Sequence, residues 1–216
     1  MSQSRDLPVI GVVGGIGSGK SSVSRALAER RSVVIIDADK LGHELLHDSP
    51  VKQELKNEFG SEIFDAEGIV SRPALAKVVF GETKQHTKNR ETLNSILHPR
   101  IRIEVRKRIA QAEADGQTEA VILDAALMLE TGWSENCDTI VYIDVPEEAR
   151  KRRCVENRGW TAEEFEKREA NQFDTNKKKS LSNHIIDNSG TLEDAGKAFE
   201  QVLNHILSTH KSRPQA

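Results

Sequence analysis

The chain has 216 residues, 37% hydrophobic and 30% charged, which is enough apolar surface for one packed domain and lies well outside the disordered regime. Its formal net charge of -3 creates no global field for nucleic acid or an anionic membrane, so any anion site must be built locally. The opening MSQSRDLP has no basic start or apolar stretch, no apolar run nears the ~20 residues of a membrane span, and Cys137 and Cys154 have no partners at disulfide or zinc spacing; a cytoplasmic protein with no membrane contact is expected.

The first apolar run, Val9-Ile10-Gly11-Val12-Val13, predicts a buried strand, and Val23 with Leu27 marks the inner face of a helix shortly after it. Between them, Gly14-Gly15-Ile16-Gly17-Ser18-Gly19-Lys20-Ser21 fits G-x-x-x-x-G-K-[ST] in the strand-to-helix context that the motif requires. Glycines let the backbone wrap a polyphosphate so that successive N–H groups and the helix N-terminus face the anion. The cradle is expected to comprise Gly15, Ile16, Gly17, Ser18, Gly19, Lys20, Ser21 and Ser22, binding ATP, with Lys20 reaching the β- and γ-oxygens and Ser21 ligating Mg²⁺.

The second run, Val33-Val34-Ile35-Ile36, ends in Asp37-Ala38-Asp39, which brings carboxylates to the sheet edge that carries the glycine loop. Phosphoryl transfer to an alcohol needs an acceptor for the hydroxyl proton; Asp39 suits that work with Asp37 in support, the alternative being a helix cap. About eighty residues precede the third run, far more than a simple crossover needs, so 41–113 is expected to form a helical insertion. Within it, His98-Pro99 predicts the end of one helix, carrying Leu93, Ile96 and Leu97, and the start of another, striped by Ile101, Val105 and Ile109.

Asp124 closes the third run, Ala120-Val121-Ile122-Leu123, where an acid can hold the shell of Mg²⁺, and is the favoured metal ligand; Asp144 closes the fourth, Thr139-Ile140-Val141-Tyr142-Ile143, and position alone does not separate them. From 150 to 180 positive charge concentrates, and arginines such as Arg153, Arg158 and Arg168 can close over a triphosphate as a lid; the interleaved Glu163, Glu164, Glu166 and Glu169 also allow a solvated helical face. A short run, Ile185-Ile186, and a last helix with Leu192, Ala195, Phe199, Val202, Leu203 and Ile206 inward complete the pattern. Strands alternating with helices predict an α/β fold: one domain with a parallel sheet of about five strands flanked by helices, a P-loop nucleoside-kinase-like architecture.

In this order the residues resemble the dephospho-coenzyme A kinase family along nearly the whole chain. The family's opening, roughly TGGIGSGKS then DAD, is matched by Val13 to Ser21 and Asp37-Ala38-Asp39, and its insertion pattern by Arg72, Leu75, Val79-Phe80, Leu93 and His98-Pro99. Its R…Q lid spacing falls on Arg168 and Gln172, and its closing I-D-N-x-G on Ile186 to Gly190. The resemblance implies that Asp39 is the base, that Arg168 with Gln172 belongs to the lid and that Asn188 lies near the adenine; Lys20, Arg153 and Arg168 are expected to serve the transfer. It also implies that the helical insertion, with Arg72 and His98, holds dephospho-coenzyme A for phosphorylation of its ribose 3′-hydroxyl. The chain departs from the family where P-L-L-F-E becomes Ala126-Leu127-Met128-Leu129-Glu130, where Ala-Asp becomes Ser182-Asn183, and where a lid arginine becomes Asn157 with Arg158 beside it. Other nucleoside or small-molecule kinases lack the insertion series; a regulatory GTPase needs an Asn-Lys-x-Asp reader that Asn176-Lys177-Lys178-Lys179 does not supply. Retention of Lys20, Ser21, Asp39 and Asp124 speaks against an ATP binder without chemistry.

Overall fold

A computed structural model describes residues 7–211, so the leader reading made on MSQSRD lies outside the described residues. Five strands form one parallel sheet in the order β2-β3-β1-β4-β5: β1 (Val9–Gly14), β2 (Val33–Asp37), β3 (Ala120–Asp124), β4 (Thr139–Asp144) and β5 (His184–Asp187). The central strand β1 is buried at every position and so is β3, as strands covered on both faces must be. Every strand is followed by a helix or loop at the same edge, which gathers the glycine loop and the strand-end acids there. Register places Asp37 opposite Asp124 and Asp144 opposite Asp187.

One compact unit comprises Met1–Asp37 with Ile109–Ala216. Its helices include α1 (Lys20–Ala28) and, after β4, α6 (Glu147–Arg158), α7 (Ala162–Glu169), α8 (Thr175–Ser180) and α9 (Leu192–Lys211). Ile10, Ile122 and Val141 pack with Val23, Leu27 and Phe199 in a core without water-exposed members. Leu192 departs from the expected inward stripe of α9: it is the helix's first residue, 47% exposed, a turn ahead of buried Ala195.

The second unit, Ala38–Arg108, contains α2 (Ala38–Leu45), α3 (Ser49–Phe59), α4 (Arg72–Val79) and the larger part of α5 (Lys84–Asp115). Val51, Leu55, Phe59, Ile63, Val79 and Ile96 form its own core. Ser71 caps α4 by accepting from the Ala74 N–H, with Pro73 in the first turn, where a missing N–H costs nothing. The two helices expected on either side of Pro99 are a single one. Proline removes one backbone bond from a helix interior, at about 3 kcal/mol, yet Ile96 and Ile101 anchor both flanks and the Arg100 guanidinium donates to the Ile96 carbonyl at 2.6 Å. Among the described residues no helix is long and apolar enough to cross a membrane.

Candidate active site

The glycine loop leaves β1 and enters α1 through two left-handed residues, Gly17 (φ 77°) and Gly19 (φ 82°), a conformation that side chains disfavour. A turn closes it, the Ser18 N–H donating to the Gly15 carbonyl at 3.1 Å. Gly19 is the N-cap of α1, so the positive end of the helix dipole stands at the loop. The buried Asn188, just past β5, donates its side-chain amide to the Ser18 carbonyl at 2.8 Å, while its own backbone carbonyl accepts from Arg153 at 2.9 Å. Arg153 and Asn188 are thereby brought to the loop that the sequence placed some 135 to 170 residues earlier.

The Ser21 hydroxyl donates to Asp124 Oδ2 at 2.6 Å, and Asp124 is buried. Asp144 is held differently, by the Lys179 ammonium at 2.8 Å. The two strand-end acids thus have different partners, Asp124 the hydroxyl of Ser21 and Asp144 a lysine. Ser21 and Asp124 are hard oxygen donors at mutual contact distance, which fits Mg²⁺, a cation that takes one or two protein ligands and fills its octahedron with water and phosphate.

After β4 the chain is strongly basic, but its cations have distinct tasks. Arg168 lies 4.4 Å and Arg158 5.0 Å from the ring centre of Trp160, so two exposed guanidinium groups share one indole. A capping box between Thr161 and Glu164 starts α7, the helix that carries Arg168. Lys178 is buried, bonded to Gln172 Oε1 at 2.7 Å and paired with Glu130 at 3.1 Å; Glu130 also accepts from the Phe173 N–H at 2.8 Å. Trp160 was not singled out by sequence reasoning, and Glu130 and Lys178 entered it only as members of longer motifs. The α6–α8 charge run is therefore neither wholly a solvated face nor wholly aimed at ligand. Burial raises Tyr142 of β4 to a pKa of about 12, with Asp144 contributing, so it stays a neutral phenol.

In the helical unit Asp39 stands exposed in the first turn of α2, and His43 follows it one turn later on the same face. Arg72 Nη2 lies 3.1 Å from His43 Nε2, which brings Arg72 to the face of α2 that carries Asp39. His98, half-buried on α5, is pulled below the ordinary histidine pKa by desolvation first and by Arg102 second, which favours neutral imidazole.

A parallel sheet in this order, with the glycine loop after its central strand and a hydroxyl–carboxylate pair beside it, defines the class: the fold is that of a P-loop kinase. Comparison with known proteins then gives the family. The family model described as dephospho-CoA kinase matches residues 8–194. A dephospho-CoA kinase of Rhodopirellula baltica is 38% identical over 202 residues, covering 94% of this chain and 92% of that one. One of Corynebacterium efficiens is 36% identical over 203 residues, covering 94% and 98%. Among solved structures, a Thermus thermophilus protein superposes with TM-score 0.80 at 28% identity, covering 94% of this chain and 99% of its own. The dephospho-CoA kinase of Campylobacter jejuni shares the fold with TM-score 0.61 at 21% identity, covering 92% and 97%. The chain belongs to the dephospho-CoA kinase family.

Proposed function

We propose that this protein transfers the γ-phosphate of ATP to the ribose 3′-hydroxyl of dephospho-coenzyme A, giving coenzyme A and ADP, the last step of coenzyme A synthesis. The observation that carries this reading is the match to dephospho-CoA kinases across 94% of a chain that holds the glycine loop and Asp37-Ala38-Asp39. Such a reaction works where ATP and acceptor meet, in the cytoplasm.

In this reading the N–H groups of Gly15 through Ser22, with Lys20, bind the β- and γ-phosphates and hold the transferring group in place. Ser21 and Asp124 would hold Mg²⁺, which would supply neutralising charge to the phosphates. The Asp39 carboxylate orients the ribose hydroxyl and takes its proton, and Asp37 supports it electrostatically. Arg72, which reaches from α4 to His43 on the face of α2 that carries Asp39, and His98, neutral and donating or accepting one bond, contact the acceptor. Arg153 supports the loop through Asn188, which also lies near the adenine, while Arg168 reaches charge that develops on the phosphoryl oxygens.

The test is incubation with Mg-ATP and a panel of acceptors, namely dephospho-coenzyme A, nucleosides, nucleoside monophosphates and shikimate, following ADP release and mapping the product by phosphorus NMR. New phosphate on the ribose 3′-oxygen of dephospho-coenzyme A is the expected result. Turnover of another acceptor in preference to it overturns the substrate, and phosphate on a different oxygen overturns the role given to Asp39.

A further inference from the structure

Arg150 stands first in the basic run Arg150-Lys151-Arg152-Arg153, and unlike its neighbours it is fully buried, at 2% exposure. Buried guanidinium groups survive only where their donors are satisfied and their charge is paired. Its Nε donates to the Val145 carbonyl at 3.2 Å, and its Nη1 to the Ile16 carbonyl in the glycine loop at 3.1 Å. The charge is paired with Glu169, the last residue of α7, and the plane lies 5.6 Å from the Phe165 ring centre.

The loop is shaped around this side chain. A Cβ on Gly15 would fall 2.6 Å from Arg150 Nη1, and one on Gly17 would fall 2.6 Å from the Arg150 backbone carbonyl. Three residues on, Arg153 reaches the Asn188 carbonyl, and Asn188 in turn holds the Ser18 carbonyl. Helix α6 therefore grips the loop at two alternate carbonyls, 16 directly and 18 through Asn188. In a planar trans peptide, C=O and N–H point in opposite directions, so tying the 16 carbonyl outward turns the Gly17 N–H of the same unit inward. A cationic donor on the carbonyl also polarises that peptide and makes its N–H a stronger donor to phosphate.

We propose that Arg150 is a positioning residue for phosphoryl transfer: it holds the Ile16–Gly17 peptide in its anion-binding orientation and, through Glu169, ties the end of α7, with Arg168 next to it, to the loop. This rests on the ATP-binding reading above. Its effect should fall on the phosphates beyond the first, because it acts on the loop turn and not on the nucleoside.

The experiment compares Arg150→Met and Glu169→Gln with wild type by calorimetric titration of Mg-ADP and of AMP in the absence of acceptor, with thermal unfolding as a control and KM for ATP and kcat measured alongside. Loss of a charge-assisted bond that orients a donor predicts an Mg-ADP affinity ~10–100-fold weaker in Arg150→Met, with AMP affinity changed less than about threefold. Glu169→Gln, which keeps the Arg150 bonds to carbonyls but removes the paired charge, should weaken Mg-ADP by about 3–10-fold, again sparing AMP. KM for ATP should rise in the same order as the Mg-ADP loss. A folded Arg150→Met with the wild-type ratio of ADP to AMP affinity overturns the proposal; if that variant does not fold, a wild-type ratio in Glu169→Gln overturns it. Wild-type protein that binds no Mg-ADP takes down the kinase reading and this inference together, whereas wild type that binds Mg-ADP while the variants keep its ratio takes down the inference alone.

Discussion

In the sheet unit, the groups assigned to phosphate are backbone N–H groups on a loop held from several sides: the Ser18 carbonyl by Asn188, the Ile16 carbonyl by Arg150, and Ser21 by the buried Asp124. In the helical unit, the groups assigned to the acceptor are exposed side chains on helix surfaces, Asp39 on α2 and Arg72 on α4, standing over a separate apolar core of Val51, Leu55 and Ile63. The first arrangement gives a fixed cradle that suits one constant ligand, a polyphosphate. The second leaves chemistry on positions that packing does not constrain, so side chains there can change without loss of fold. Substitutions in the two units should accordingly separate activity from stability to different degrees.

The sharpest form of that contrast is Asp39→Asn, which keeps size and polarity and removes the proton acceptor. Turnover of dephospho-coenzyme A should fall by ~10²–10⁴ while both substrates still bind and the melting temperature holds. Asp37→Asn should cost less in rate. A fall in melting temperature that accompanies the Asp39→Asn loss would break the comparison, because it would make Asp39 part of the packing. Next in size, Lys20→Ala should lower turnover by ~10²–10³ with little change in stability, since the lysine acts on phosphate charge; steady-state rates near wild type would remove the loop from the reaction. Ser21→Ala should mix the two readouts. The Mg²⁺ concentration for half-maximal rate should rise several-fold with the loss of one ligand, and unfolding free energy should drop by ~1–3 kcal/mol because the buried Asp124 loses a hydrogen-bond donor.

The smallest effect concerns pH, and each unit supplies one histidine to measure it. Burial lowers the pKa of His98 in the helical unit and of His184 on β5, with Arg102 and His205 respectively adding repulsion. The folded state resists protonation that the unfolded chain accepts, so each contributes stability that is present above about pH 6.5 and is lost as pH falls from there toward the lowered folded value. His98→Gln and His184→Gln should each flatten the decline of melting temperature between pH 7 and pH 5. A slope unchanged in one of them would assign the pH response to the other unit.

Much of this was readable along the chain because it depends on local rules. The loop declares itself by glycines at 17 and 19, which adopt the left-handed conformation, and the sheet by Val- and Ile-rich runs that are buried on both faces. Asp37 is the last residue of β2, so its place at the sheet edge required only the strand. Local rules failed at Pro99, where packing by Ile96 and Ile101 carries one helix through a residue that ends most, and at Leu192, whose period matched α9 but whose position precedes the buried stripe.

What the sequence alone determined is the kind of chemistry: a phosphate cradle, acids at strand ends and the family pattern are all set by residue type and short spacing. What only the tertiary structure decided is which partner each of several similar residues meets. Asp124 and Asp144 both close apolar strands, yet only Asp124 meets Ser21. Arg150 and Arg152 sit in one basic run, yet the first is sealed behind the glycine loop with Glu169 and the second is exposed. Choices of this kind depend on partners more than a hundred residues away, and desolvation, which makes a buried charge either paired or costly, acts only once the chain has brought those partners together.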